Sequence, residues 1–189
     1  MEASWEEIRE QIKQNGYWEL YEYYCGQLTA DDFMFASSLH GIAHTRRVLL
    51  HLLTLAGKLH LNDDDLNLLC LISIYHDTGR LHDGYDLVHG IRSHEHIGQR
   101  PLVLKLSVED KKVFQFVVEN HCLSDAIGID KAEKIDFTEP VRAIELLKIF
   151  KDCDGLDRVR INDLSLKHLR HPESAELAQN AWILLEAIE

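Results

Sequence analysis

The chain is poor in the residues that would divide it, staple it or carry it to a polyanion. It has only 3 prolines and 10 glycines in 189 residues, and no Pro/Gly/Ser-rich linker. That leaves room for long helices and gives no boundary between domains. The 4 cysteines (Cys25, Cys70, Cys122, Cys153) include no C-x-x-C pair, so a disulfide framework and a cysteine zinc knuckle are not indicated. The reading is a reduced thiol inventory in a cytoplasmic protein. No apolar run reaches membrane length, and Met1 to Trp5 opens a polar amphipathic helix rather than a signal peptide. Basic charge is also scarce. The formal net charge of -12 argues against binding a nucleic-acid polymer or an anionic membrane. Strand-period alternation, internal repeats and the motifs G-x-S-x-G, G-x-x-x-x-G-K-S/T and H-E-x-x-H are all missing.

What remains is helical periodicity and 12 histidines. Ser4 and Glu7 form a capping-box pattern for a first helix ending near Gly16, and the aromatic segment Tyr17 to Tyr24 follows. Further helices are expected over Leu39–Leu59, from the cap Asn62 to near Asp77, Asp86–Ile97, Ser107–Cys122, from the cap Thr138 to Arg158, and Pro172–Ile188. The fold class is therefore all-α. The whole chain reads as one domain, in which N-terminal helices (3–35) and a C-terminal helix (172–188) pack on a central bundle. The aromatic segment reads as core cover, with an edge of the substrate pocket or a homodimer contact as the alternatives.

Helical phase decides which polar residues meet. His44, Val48, Leu52 and Leu55 share one face, with His40 four residues before His44. Leu69, Ser73, His76 and Asp77 share another. Phe114, Val117, Val118 and His121 line up, as do Ala143, Leu147, Phe150 and Asp154. Each of four apolar stripes thus ends in a metal-ligand residue type. Burying such groups unpaired costs several kcal/mol each (about), a cost that a shared cation removes.

At these positions the chain resembles the HD-domain superfamily of metal-dependent phosphohydrolases. His44 with Arg47-Val48, His76-Asp77-Thr78-Gly79-Arg80 and Asp154-Gly155-Leu156-Asp157 match its H…HD…D signature in order and local context, over roughly 39–160. The resemblance implies an HD-type helical bundle with a metal site between core helices, holding one or two divalent ions. Manganese, iron, cobalt, nickel or zinc suit the mixed imidazole and carboxylate donors, with magnesium less suited. It also implies two further histidine ligands. His89, in a His-Gly-x-x-Ser context, is favoured over His94 and His96 for the first, and His121 matches the second. The metal set is then His44, His76, Asp77, His89, His121 and Asp154. Asp154 is preferred to Asp152, and Asp157 reads as a salt-bridge or capping partner.

The implied chemistry is attack of a metal-activated water on a phosphoester of a small phosphorylated metabolite or nucleotide. Asp77, Arg80 and His40 are the candidate catalytic residues. His40 is open between a ligand, a hydrogen-bonding partner behind the ligands, a substrate contact and a residue of the site rim. Arg80 and Arg47 are the first candidates for positive charge facing phosphate, with Arg92, Lys148 and Arg158 behind them. The Gly-Tyr-Pro element of cyclic-di-nucleotide hydrolases is lacking. The alternatives are an HD-fold di-iron oxygenase and a metal-containing ligand-binding module.

Overall fold

The computed structural model describes residues 4–188, so the expected helix boundary at residue 3 lies outside the described residues. Among the described residues there are eleven α-helices and no strand. They are α1 (Trp5–Gln14), α2 (Trp18–Cys25), α3 (Ile42–Leu59), α4 (Asp63–Tyr75), α5 (His89–Ile97), α6 (Pro101–Leu104), α7 (Val108–Asn120), α8 (Asp125–Ala132), α9 (Pro140–Leu156), α10 (Pro172–Glu176) and α11 (Ala178–Ala187). Short 3-10 turns occupy Ala30–Asp32, Asp157–Ile161 and Leu166–His168. Among the described residues, no helix is long and apolar enough to cross a membrane.

Local chemistry sets the ends. Ser4 and Glu7 close the capping box: the Glu7 N–H donates to Ser4 Oγ and the Ser4 N–H to Glu7 Oε2. Asn62 caps α4 by accepting from the Asp65 N–H at 2.9 Å. Several boundaries differ from the sequence expectation. Thr138 does not cap α9, because its N–H and hydroxyl both donate to Glu109; Glu139 is the cap and Pro140 takes the first helical position. The helix expected from Asp86 starts at His89, since Asp86 turns back to accept from the Val88 N–H. The expected C-terminal helix is broken at Leu177 into α10 and α11.

The core is built where α3, α4, α7 and α9 pack on one another. Leu49, Leu52, Leu69, Ile72, Phe114, Val117 and Phe150 are fully buried there. The outer helices cover it: α1 and α11 lie on α3, α2 on α3 and α4, and α5 on α7. Burying a Leu, Ile or Phe side chain contributes about 1.5–3 kcal/mol, so this core outweighs the polar end it carries.

Helices α5 and α7 approach so closely that no side chain fits at Gly90. A Cβ there would lie 2.3 Å from the Val118 carbonyl oxygen and 3.1 Å from Glu119 Cα. Gly90→Ala is therefore expected to push the two helices apart and cost about 1–3 kcal/mol. A melting temperature lower by about 2–12 °C would register it, given about 2–4 °C per kcal/mol at this size. An unchanged melt would show that the close approach is not needed.

Candidate metal centre

One end of the bundle collects the polar residues that the apolar stripes lead to. His44 sits in the first turn of α3, His76 caps the C-terminus of α4, His121 caps that of α7, and Asp154 lies in the last turn of α9. Asp77 follows His76, and His89 opens α5. His44, His76, Asp77, His89 and His121 are all buried, and Asp154 is partly exposed.

Each imidazole has its Nδ1 engaged. His76 Nδ1 is 2.9 Å from the Ser73 carbonyl, His89 Nδ1 2.6 Å from that of Asp86, and His121 Nδ1 2.7 Å from that of Val118. His44 Nδ1 is 2.7 Å from Asp157 Oδ2. Carbonyl and carboxylate oxygens only accept, so each Nδ1 carries the proton. In the neutral ring, Nε2 then presents a lone pair.

Those lone pairs converge. His44 Nε2 lies 3.1 Å from His76 Nε2, and His89 Nε2 lies 2.8 Å from His121 Nε2. Asp77 stands between the two pairs. Its Oδ2 is 3.5 Å from His44 Nε2 and 3.6 Å from His76 Nε2. Its Oδ1 is 3.0 Å from His89 Nε2 and 3.6 Å from His121 Nε2. Asp154 Oδ1 joins the first pair, 3.4 Å from His44 Nε2. Asp77 Oδ1 is buried without a hydrogen-bond partner. Arg80 Nε lies 3.0 Å from it, but neither atom finds a hydrogen bond, because that N–H is not aimed along the contact. Electron pairs facing one another in a dry site repel, and a cation is what such a donor set fits. Groups able to hold a metal form around His44, His76 and Asp154, around His76, Asp77 and His121, and around His40, His44 and Asp77.

The electrostatics agree. Burial alone would raise the Asp77 carboxyl, yet the surrounding His76, His121, His40 and His44 hold it well below the carboxylate range. Burial opposes Asp154 in the same way, and His44 and His76 outweigh it, so its pKa also falls. His76 is pushed down to about 3, chiefly by burial, which keeps its ring neutral. Burial and Arg160 disfavour a charged His44, but Asp157 and Asp77 overcome them and raise its pKa. The same carboxylate field would be satisfied by a metal ion.

A family model for the HD domain matches residues 41–159, more than half of the chain. The chain belongs to the HD-domain family. The HD domain marks a superfamily of the metal-dependent hydrolase type whose members bind divalent metals, and the buried His/Asp cluster lies within the matched span, apart from His40. No curated protein and no solved structure matches the chain.

Of the remaining candidates, His40, Arg47, Arg92 and Lys148 sit differently from expectation, whereas His94, His96 and Asp152 lie outside the cluster as expected. His40 is not on the helix of His44. The chain turns at Ser37, whose hydroxyl accepts from the His40 N–H, and α3 begins only at Ile42 after the extended Gly41. The ring still reaches the site, with Nδ1 3.0 Å from Asp77 Oδ2. Arg47 does not face the site cavity. It is buried, donates from Nε and Nη2 to Asp157, and from Nη1 to the Ile188 carbonyl. Arg92 is spent on Asp86 and the Gly79 carbonyl, and Lys148 lies beside Glu145. His94 pairs with Glu119 and His96 with the Asp32 carbonyl, outside the cluster. Asp152 points elsewhere, accepting from Arg170, His171 and Ser174. Cys122 Sγ donates to the Leu87 carbonyl.

Arg160 was not anticipated from the sequence. Its Nη2 lies 3.1 Å from His40 Nδ1, Nη1 donates to the Asp157 carbonyl, and its Nε is buried without a partner. With Arg80, Arg158, His40 and Tyr85 it lines a cavity of about 340 Å³ against His89, His121 and Asp154.

His51, two helical turns beyond His44, is fully buried with Nε2 unpartnered. Burial drives its pKa down to about 4, below the ordinary 6.5. The unfolded chain therefore takes up a proton that the native one refuses. Stability present above pH 6.5 should be lost progressively as pH falls towards 4, by up to about 1.4 kcal/mol per pH unit. Urea unfolding of wild type and His51→Leu across this range checks it. The variant should show the shallower dependence, and parallel slopes would contradict the assignment.

Proposed function

We propose that the protein is a metal-dependent phosphohydrolase, cleaving a phosphoester of a small phosphorylated metabolite or nucleotide with water. The observation that carries this reading is the convergence of four imidazole Nε2 atoms on the two oxygens of Asp77, one of them orphaned. His44, His76, Asp77, His89, His121 and Asp154 would hold one or two divalent ions. Such mixed nitrogen and oxygen donors suit manganese, iron, cobalt, nickel or zinc better than magnesium. A divalent cation bound there supplies Lewis-acid charge and a water acidic enough to deprotonate near neutral pH.

The chain's own residues supply the rest. Asp157 and the Ser73, Asp86 and Val118 carbonyls fix the ring tautomers, so every Nε2 stays available. The Arg80 and Arg160 guanidiniums stand at the cavity wall, where charge develops on phosphoryl oxygens. His40 sits between Arg160 and Asp77 as a substrate contact at the same wall. The net charge of -12 repels polyanions in general, so recognition falls to these local cations and suits a small substrate.

The test is phosphate release by protein loaded separately with manganese, iron, cobalt, nickel, zinc or magnesium. Phosphomonoesters, nucleotides and phosphodiesters would be screened with each. Turnover by at least one metal form is expected. Silence with every metal would sink the reading, and two irons per chain with oxygen uptake would replace it by an oxygenase.

A further inference from the structure

The ligand cluster opens on two cavities. The smaller carries His40, Arg80, His89 and Arg160. The larger, about 590 Å³, lies on the other side of Arg158. They share His121, Asp154 and Arg158, so one molecule can reach the cluster from the first and extend into the second.

The larger wall is basic. Lys151, Arg158, Lys167 and Arg170 line it against Asp125, Asp154 and Asp163, with Arg158 paired to Asp163. This positive surplus stands in a chain whose net charge is -12. Part of it is built into the scaffold. Lys151 is 8% exposed, and its ammonium donates to the Leu123 carbonyl and to Asp125. Arg170 donates to both oxygens of Asp125 and to Asp152 Oδ1. Asp125 therefore serves two cations at once, and its carboxyl is held down to about 2. Lys167, on the turn Leu166–His168, pairs with no carboxylate among the described residues. Ser124 and Ser165 add hydroxyls to the same wall.

We propose that the larger cavity is a subsite for a second anionic group, so that the substrate is a phosphoester carrying a carboxylate or further phosphate away from the scissile bond. This rests on the phosphohydrolase reading and narrows it. The reacting phosphoryl lies by Arg80 and Arg160, and the distant anion by Lys167. Holding both ends of one molecule makes the second contact intramolecular, which raises affinity without a change at the metal centre.

Isothermal titration calorimetry of the manganese-loaded full chain tests it, with n-alkylphosphonates against ω-carboxyalkylphosphonates of matched length. The carboxylated compounds should bind about ten-fold tighter at low salt, with the advantage shrinking as salt is added. Lys167→Ala should reduce that advantage and Lys167→Glu abolish it, both leaving the alkylphosphonate affinity unchanged. Lys167 is exposed, so neither variant threatens the fold. Equal affinity of the two series, or an advantage that survives Lys167→Glu, would overturn the subsite while leaving the phosphohydrolase reading intact. Failure of both series to bind would overturn both.

Discussion

Asp77→Asn is expected to abolish metal binding and, with it, the metal-dependent rise in melting temperature. In the wild type, Asp77 Oδ1 is a buried acceptor without a donor, among nitrogen lone pairs only 2.8–3.1 Å apart. The asparagine amide replaces a charge that needs a cation by an N–H₂ group that can donate to those lone pairs. The variant loses the only carboxylate that stands, among the described residues, between both imidazole pairs.

The readout is thermal. At a free metal concentration about 1,000 times Kd, binding stabilises the native state by about 4 kcal/mol. At about 2–4 °C per kcal/mol, wild type should melt about 8–16 °C higher with manganese or zinc than in chelator. Asp77→Asn should show no such rise. Phosphoester turnover should fall by at least about 100-fold, by comparison with groups that merely orient a ligand. A metal-dependent rise of wild-type size in Asp77→Asn would remove Asp77 from the centre of the site.

The parts of this site that could be read in the sequence are those that sit on long helices. His44, His76, His121 and Asp154 each follow an apolar stripe of period 3.6, and the packing of α3, α4, α7 and α9 brings the ends of those stripes together. His89 was reachable through its local His-Gly-x-x-Ser context, and the structure gives the glycine a reason: α5 must lie against the Val118 carbonyl. The HD-family match over 41–159 is close to the span of roughly 39–160 expected from the motifs.

Residues placed by irregular backbone were harder to read. His40 shares helical spacing with His44, yet Ser37 and Gly41 make a turn there, and spacing alone does not distinguish a turn from a helix start. Arg160 falls on a 3-10 turn after α9, where the stripe that located Asp154 no longer applies. Helix α8 was missed because Asp125–Ala132 is short and only weakly amphipathic, although Ser124 accepts from the Ile127 N–H as a cap. Arg47 lies next to a ligand motif and so resembled a phosphate contact. Its direction was set by Asp157, which is 110 residues away in sequence.

That pair yields the second large effect. Asp157 is fully buried and accepts from His44 Nδ1–H at 2.7 Å, Arg47 Nε–H at 2.7 Å and Arg47 Nη2–H at 3.1 Å. Burial raises its pKa, but His44 and Arg47 overcome this and bring it down to about 2. Its contribution is therefore present above the ordinary carboxylate value of 3.8 and is lost as pH falls through about 2. Asp157→Ala would leave the Arg47 charge buried without its partner, which costs about 3–5 kcal/mol. The melt should drop by about 6–20 °C. The same change frees His44 Nδ1, so metal affinity should fall about 10–100-fold. Arg47→Met combined with Asp157→Leu separates the two roles. An apolar pair of similar volume removes the stranded charge and should recover most of the stability. It restores no acceptor for His44, so the metal affinity should stay low. Recovery of both together would mean that Asp157 acts on the site only through the fold, and recovery of neither would mean that the ion pair is not what holds Asp157–Ile161 against α3.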